Sequence, residues 1–167
     1  MHIIETRTAP NPRRVRIFLA EKGISVGFEE RDLMAGDLKS QDFTRINPWQ
    51  RVPVLILDDG RAISETVAIC RYFEAVHPEP PLMGTDAYDQ GAVEMWQRRI
   101  ELGLFFHVAQ AFRHLHPKMA HLEVPQVAAW GQSNIPKAEA AMIALDKHLA
   151  SSRYVAGARY SIADITA

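Results

Sequence analysis

The stretch VPVLILDDGRAIS, residues 52–64, decides the fold. Two apolar runs flank Asp59-Gly60, and a DG pair between such runs signals a hairpin, because aspartate and glycine tolerate the backbone that a tight reversal needs. The segment is therefore expected to be two antiparallel strands. Pro53 would block a ladder bond in a central strand. A cis Val52–Pro53 bond would instead turn the Val52 backbone outwards, where an extended peptide could pair with it.

Upstream, HIIETR (residues 2–7) is β-branched at Ile3 and Ile4, as a buried strand would be. From Pro12 the period changes to that of a helix. Val15, Phe18 and Leu19 share one face, Arg13, Arg14, Arg16 and Glu21 are placed to face outwards, and Gly23 is a stop. In front of this helix stands Ala9-Pro10-Asn11-Pro12, which reads as Asn11 at the N-cap and Pro12 at the first helical position. ISVGFEERDL (24–33) alternates at Val26, Phe28 and Glu30, a second strand, and SQDFTRINP (40–48) holds a short helix before Pro48. After the hairpin comes a helix with Ala68, Ile69, Tyr72, Phe73 and Val76 on its inner face. The order βαβαββα favours a mixed sheet with helices packed on it.

HPEPPLMGTD (77–86) breaks every period and reads as a linker. Beyond it, Trp96, Ile100, Leu104 and Ala111 share one helical face while Leu102, Phe105, Phe106, Ala109 and Phe112 cover others, so this helix is expected to be central. A second helix follows Pro125, with Ile135, Ala138, Met142, Leu145 and Leu149 in phase. YSIADITA (160–167) carries Ser161 and Asp164 at capping-box spacing, with Tyr160 and Ile165 placed to staple across the helix start. One or two turns of helix need tertiary support, so a further helical segment is expected beyond Ala167.

Composition narrows the function. With 47% hydrophobic residues and a net charge of −1, the chain is a globular protein with no field that would gather nucleic acid or an anionic membrane. No run is long and apolar enough to span a bilayer, and the N-terminus lacks a signal peptide's regions, so a cytoplasmic location is expected. Cys70 is the sole cysteine, which excludes a CxxC pair or an internal disulfide. It lies among Ala68, Ile69 and Phe73 and reads as a small buried hydrophobe. His107, His114 and His121 are seven apart, but Pro117 interrupts the run and no carboxylate joins it, so no metal site is expected.

Four local features suit one kind of ligand. The start of the first helix can meet an anion. The Val52-Pro53 entry can pair an extended backbone. Ser64-Glu65-Thr66 at a helix start offers N–H groups and the Thr66 hydroxyl to a carboxylate, and Glu65 to an ammonium beside it. Lys39 and Arg51 flank the strand entry. An amino-acid end, an extended backbone and a second carboxylate describe a small peptide such as glutathione.

Taken together, NPRRVRIFLAEKGI (11–24), INPWQRVPVLILDDG (46–60), ISETVAICRYFE (63–74) and YSIADI (160–165), with an all-helical second half, resemble the cytosolic glutathione transferase superfamily, and most of all its theta-related bacterial and fungal members. The resemblance implies an α/β thioredoxin-like, glutathione-binding domain at residues 1–77, a linker at 78–88 and an all-α C-terminal domain at 89–167 whose end is missing. It also implies a homodimer that joins glutathione to small, apolar electrophiles, with no metal. Val52 would pair its backbone with the cysteinyl part of glutathione, Pro53 would be the cis-proline, Glu65 and Thr66 would hold the γ-glutamyl end, and Lys39 and Arg51 would meet the glycyl carboxylate or nearby backbone. Ser161 and Asp164 match the family's capping box, a folding element.

One departure concerns the catalytic position. Theta-like relatives have a serine where this sequence has Ala9, so the thiol-activating residue is expected to be Asn11, with Thr8 second. An asparagine is no base. Its Nδ2 can donate to a thiolate while the proton leaves to water. Two other readings stand beside conjugation: glutathione-dependent peroxide reduction, and a non-catalytic binding or stress protein whose glutathione site is vestigial. Trp96, Phe105, Phe106, Phe112 and Arg113 are candidates for an electrophile pocket.

Overall fold

Ile3 and Leu55, both 0% exposed, face each other across neighbouring strands, as do Ile4 and Val54. These pairs form the centre of a four-stranded sheet in the order β2-β1-β3-β4, seen in a computed structural model that describes residues 1–167. The strands are β1 (His2–Glu5), β2 (Gly27–Glu30), β3 (Val54–Ile56) and β4 (Ala62–Ser64). β1 pairs parallel with β2 and antiparallel with β3, and β3 pairs antiparallel with β4. The hairpin expected from Asp59-Gly60 is there. Gly60 takes φ +86°, and Leu57 and Arg61 close the loop with a 2.9 Å backbone hydrogen bond.

Successive strand residues point to opposite faces, so the two central pairs belong to different layers. Ile4 and Val54 pack with Leu38 and Phe43; Phe43 lies in α2 (Gln41–Ile46). Against the other face lie α1 (Pro10–Glu21), with Val15, Phe18 and Leu19 buried, and α3 (Thr66–Val76), with Ile69, Cys70 and Phe73 buried. The inner face of α3 is displaced from the expected one: Ala68 and Val76 are exposed and Tyr72 is half-buried, while Thr66 and Cys70 turn inwards. Arg14, expected outside, is only 5% exposed. Lys22 at the end of α1 is also buried, its Nζ 2.6 Å from Glu74 and bonded to the carbonyls of His77 (2.8 Å) and Pro80 (2.7 Å).

The chain divides into two compact units, Met1–Pro81 and Leu82–Ala167. The second contains α4 (Ala87–Ile100), a π-helical turn at Glu101–Phe105, α5 (Phe106–Leu115), α6 (Ala128–Leu149) and α7 (Ile162–Thr166). Asp86 caps α4 by accepting from Asp89 N at 2.9 Å. α5 and α6 approach closely where Gly131 sits, since a Cβ there would lie 2.7 Å from Leu115. Trp96, Ile100, Leu145, Val155 and Ala163 form a core cluster, so the inward role of Trp96 and Ile100 holds. Leu102, Phe112, Met142 and Leu149 are instead substantially exposed. The capping box at Ser161 is formed: Asp164 Oδ2 accepts from Ser161 N at 2.9 Å, and its Oδ1 accepts from Val155 N at 2.8 Å. Thr166 Oγ1 donates to the fully buried Gln97 at 2.8 Å, which ties α7 to α4.

No helix is long and apolar enough to cross a membrane.

Candidate active site

Strand direction gathers the candidate residues of the first unit. β1 and β4 both run antiparallel to β3, so the segments leaving β1 and β4 and the segment entering β3 emerge at one end of the sheet. β2 runs with β1, and its exit leads through the same end towards Lys39. Adjacent strands lie ~4.8 Å apart, so the loops at β1, β3 and β4 span about 10 Å. An extended tripeptide, at ~3.3 Å per residue, has that length.

At β1 the chain turns through Arg7 and Thr8 into α1. Ala9 N donates to Thr6 O at 2.9 Å, and the loop is pinned to the strand beside it by Thr6 Oγ1 to Arg31 O (2.7 Å) and Arg7 N to Glu30 Oε1 (2.8 Å). The helix starts earlier than the sequence suggested. Ala9 is the N-cap, extended at φ −75° and ψ 141° and without a side-chain cap, and Pro10 takes the first helical position. Asn11 therefore sits at the second helical position and Pro12 at the third; Asn11 is not the cap. Both prolines satisfy the preference for proline in a first turn, where an N–H has no partner to lose.

This shift reshapes the chemistry. Pro10 and Pro12 have no N–H, and Arg13 N already donates to Ala9 O at 3.3 Å, so the backbone donor open at the helix start is that of Asn11. The Asn11 carboxamide does not bond the first turn, as a cap would. Its Oδ1 accepts from Arg14 Nη1 at 3.3 Å, which leaves Nδ2 to donate elsewhere. Asn11 is half-buried and Thr8 is exposed. One residue thus presents two donors at the positive end of a helix dipole.

At β3 the Val52–Pro53 peptide is cis, Val52 is half-buried and Pro53 buried. The loop before it is organised by Asn47, a residue that sequence reasoning missed. Asn47 is 3% exposed, donates from Nδ2 to Arg51 O at 2.8 Å and accepts from Trp49 N at 3.1 Å. It holds the segment that delivers Arg51 and Val52; an asparagine just before a proline is the signal that could have found it. Arg51 and Lys39 are exposed.

At β4 the chain enters α3 through Glu65, whose φ of +74° is unusual for a residue with a Cβ. Its side chain makes no cap and is exposed. Ile69 N, donating to Glu65 O at 3.0 Å, is the first N–H of α3 to find an intrahelical acceptor. Those of Thr66, Val67 and Ala68 point out of the helix start, beside the Thr66 hydroxyl. Donors from α3 and a carboxylate on a strained backbone make a receptor for a group carrying both charges.

Cys70 takes no part. Burial pushes its thiol up to about 12, with Glu74 adding to the rise and Arg14 opposing it, so the thiolate is not available. No group of three or more His, Cys, Asp or Glu side chains is placed to hold a metal ion. The histidines spaced seven apart serve separate ends: His107 Nδ1 lies 2.6 Å from Asn134 Oδ1, His114 Nδ1 accepts from Val127 N at 3.0 Å, and His121 is exposed.

Within the helical unit a groove of about 470 Å³ is lined by Leu104, Phe105, Val108, Met142, Leu145 and Leu149. Of the residues expected to line an electrophile pocket, Phe105 is here. Trp96 stacks on His148, Arg113 pairs with Glu123 at 3.3 Å, and Phe106 and Phe112 flank His107 and His116.

The chain is similar to known proteins along its length. The family model described as glutathione S-transferase, N-terminal domain, matches residues 8–76. Glutathione S-transferase 2 of Saccharomyces cerevisiae is 39% identical over 169 residues, covering 99% of this chain and 72% of that protein. Glutathione S-transferase Z2 of Arabidopsis thaliana is 34% identical over 91% of this chain and 66% of its own length. Among solved structures, a glutathione S-transferase domain-containing protein from Marinobacter aquaeolei superimposes with a TM-score of 0.96 at 38% identity, covering 99% of this chain and 82% of that one.

Proposed function

Because this chain belongs to the glutathione S-transferase family, we propose that it binds glutathione across the end of its sheet and activates the thiol for attack on small, apolar electrophiles. The observation that carries this reading is the convergence of three segments, at the start of α1, at Val52-Pro53 and at Glu65-Thr66, on one sheet end about as wide as an extended tripeptide. In this reading the unit Met1–Pro81 is the glutathione-binding domain and the unit Leu82–Ala167 the helical domain, with the expected linker ending before α4 begins at Ala87. The protein works in the cytoplasm as a homodimer.

Each segment has a task. Glu65 takes the ammonium of the γ-glutamyl end, while Thr66 and the N–H groups at the start of α3 take its carboxylate. The Val52 backbone pairs with the cysteinyl peptide, and Pro53 fixes the direction of that pairing. Lys39 and Arg51 neutralise the glycyl carboxylate. These contacts bring the sulfur to the start of α1. There the Asn11 N–H and Nδ2 stabilise the thiolate, lowering a thiol pKa that is about 8.5 for an ordinary cysteine. The proton leaves to water. The thiolate then forms a carbon–sulfur bond to the electrophile, whose leaving group departs with the bonding pair. Thr8 is the second candidate donor, through its hydroxyl.

One observation favours a different reading, a non-catalytic glutathione binder: Ala9, at the N-cap, offers no side-chain donor. An ultraviolet titration of the glutathione thiolate with and without protein separates the two. Activation predicts a bound pKa well below the free value and a rise in Asn11→Ala. Binding with an unshifted pKa would overturn the catalytic reading, and peroxide turnover at the conjugation rate would make reduction the reaction.

A further inference from the structure

The first two turns of α1 carry Arg13, Arg14 and Arg16 and no acidic residue in the first turn. Cations at the positive end of a helix dipole oppose it, so each needs a reason. Arg13 is exposed. Arg16 is paired with Glu5 and donates to Arg7 O at 2.7 Å, which fastens α1 to the end of β1. Arg14 is 5% exposed, and a buried guanidinium is retained only where its contacts offset the loss of water.

One of those contacts is to a carboxamide. Arg14 Nη1 donates to Asn11 Oδ1 at 3.3 Å. The terminal torsion of asparagine is broad and roughly two-fold, so an unrestrained Asn11 can present either end outwards. Nδ2 outwards gives a thiolate a donor; Oδ1 outwards gives it a repelling lone pair. A cation below the amide removes that choice, because a guanidinium donates only and accepts nothing. We infer that Arg14 is the positioning residue that sets the Asn11 amide with Nδ2 towards the glutathione sulfur. This rests on the role proposed for Asn11. On α3, the Cys70 thiol feels both Arg14 and Glu74.

The test is a thiolate titration of bound glutathione in four proteins: wild type, Arg14→Met, Asn11→Ala and the double variant. The bound pKa is expected to rise by about 0.5–1 unit in each single variant, the worth of one hydrogen bond. The double variant should rise no further than Asn11→Ala alone, because both changes remove the same contact. Glutathione affinity measured at a pH low enough to keep the thiol protonated, and so set at Glu65, Thr66 and Val52, should change less than threefold. Equal rises from Arg14→Met with and without Asn11 would mean that Arg14 acts through its field alone, and positioning falls. A rise in Asn11→Ala with none in Arg14→Met also overturns the inference while leaving Asn11 in place. No rise in Asn11→Ala overturns the role of Asn11 and this inference with it. Should Arg14→Met fail to fold, nuclear Overhauser contacts of the Asn11 Nδ2 protons in the wild-type complex decide. Contacts to the cysteinyl methylene of glutathione support the orientation, and their absence in the complex overturns it.

Discussion

Replacing Glu65 by glycine should make the protein more stable and less able to bind glutathione, whereas replacing it by alanine should only weaken binding. Glu65 holds φ +74° with a Cβ in place, and such a backbone costs about 1–3 kcal/mol in a residue other than glycine. Glycine removes this cost but adds about 0.5–1 kcal/mol of lost chain entropy. At an ordinary position alanine is the more stable of the two; here glycine should lead by up to about 2.5 kcal/mol. For a chain of this length that is a rise of up to about 10 °C in Tm relative to Glu65→Ala. Both variants lose the carboxylate proposed to meet the glutathione ammonium. A hydrogen bond between charged groups contributes about 1.5–3 kcal/mol, so Kd should rise about 10- to 150-fold in each. Urea unfolding gives the first quantity and calorimetric titration with glutathione the second. If Glu65→Gly is less stable than Glu65→Ala, the backbone is not strained. If both bind as the wild type does, the carboxylate does not touch the ligand.

Asp164→Ala strips the acceptor from the N–H groups of Val155 and Ser161, which are 2% and 3% exposed. At about 1–3 kcal/mol for each buried donor left unpaired, the loss should be about 2–6 kcal/mol in urea unfolding; a loss below about 1 kcal/mol would show that water replaces the carboxylate. Asp89 is held below the usual carboxylate range by the Thr85 backbone N–H, then by the Thr85 hydroxyl and Arg159, against opposing burial. A depressed pKa contributes stability that is present above the unfolded value of 3.8 and is lost as pH falls through the lower folded value. Asp89→Asn should therefore flatten the dependence of the urea midpoint on pH below about 4, and an unchanged slope would remove Asp89 from acid unfolding.

The sheet was legible because its signals are local. Asp59-Gly60 between apolar runs marks the hairpin, and Ser161 with Asp164 marks the last helix by side-chain chemistry alone. The start of α1 was not legible to the residue. Pro10 and Pro12 each fit a first helical position, and only the backbone of Ala9, extended and bonded to Thr6 at 2.9 Å, decides between them. The burial of Arg14 runs against what its charge suggests, and its contact with Asn11 exists only once the helix has started at Pro10. Glu65 carries no sequence mark of its positive φ, because the strain is imposed by the turn from β4 into α3. On α3, Cys70 rather than Val76 faces inwards, a rotation of the helix set by what the sheet and α1 present to it. The segments that meet at the sheet end were thus readable in the sequence, and the rotations of their residues were not.

The isolation of Cys70 turns it into a recorder. The chain has one thiol, and burial pushes it up to about 12, so native protein at neutral pH has no sulfur to offer a colourless disulfide probe. In unfolded protein the same thiol returns to about 8.5 and reacts. Each equivalent of chromophore released then marks one molecule that has opened, one count per chain. Any absorbance from a thiolate in the native complex belongs to the ligand, so the protein provides its own blank.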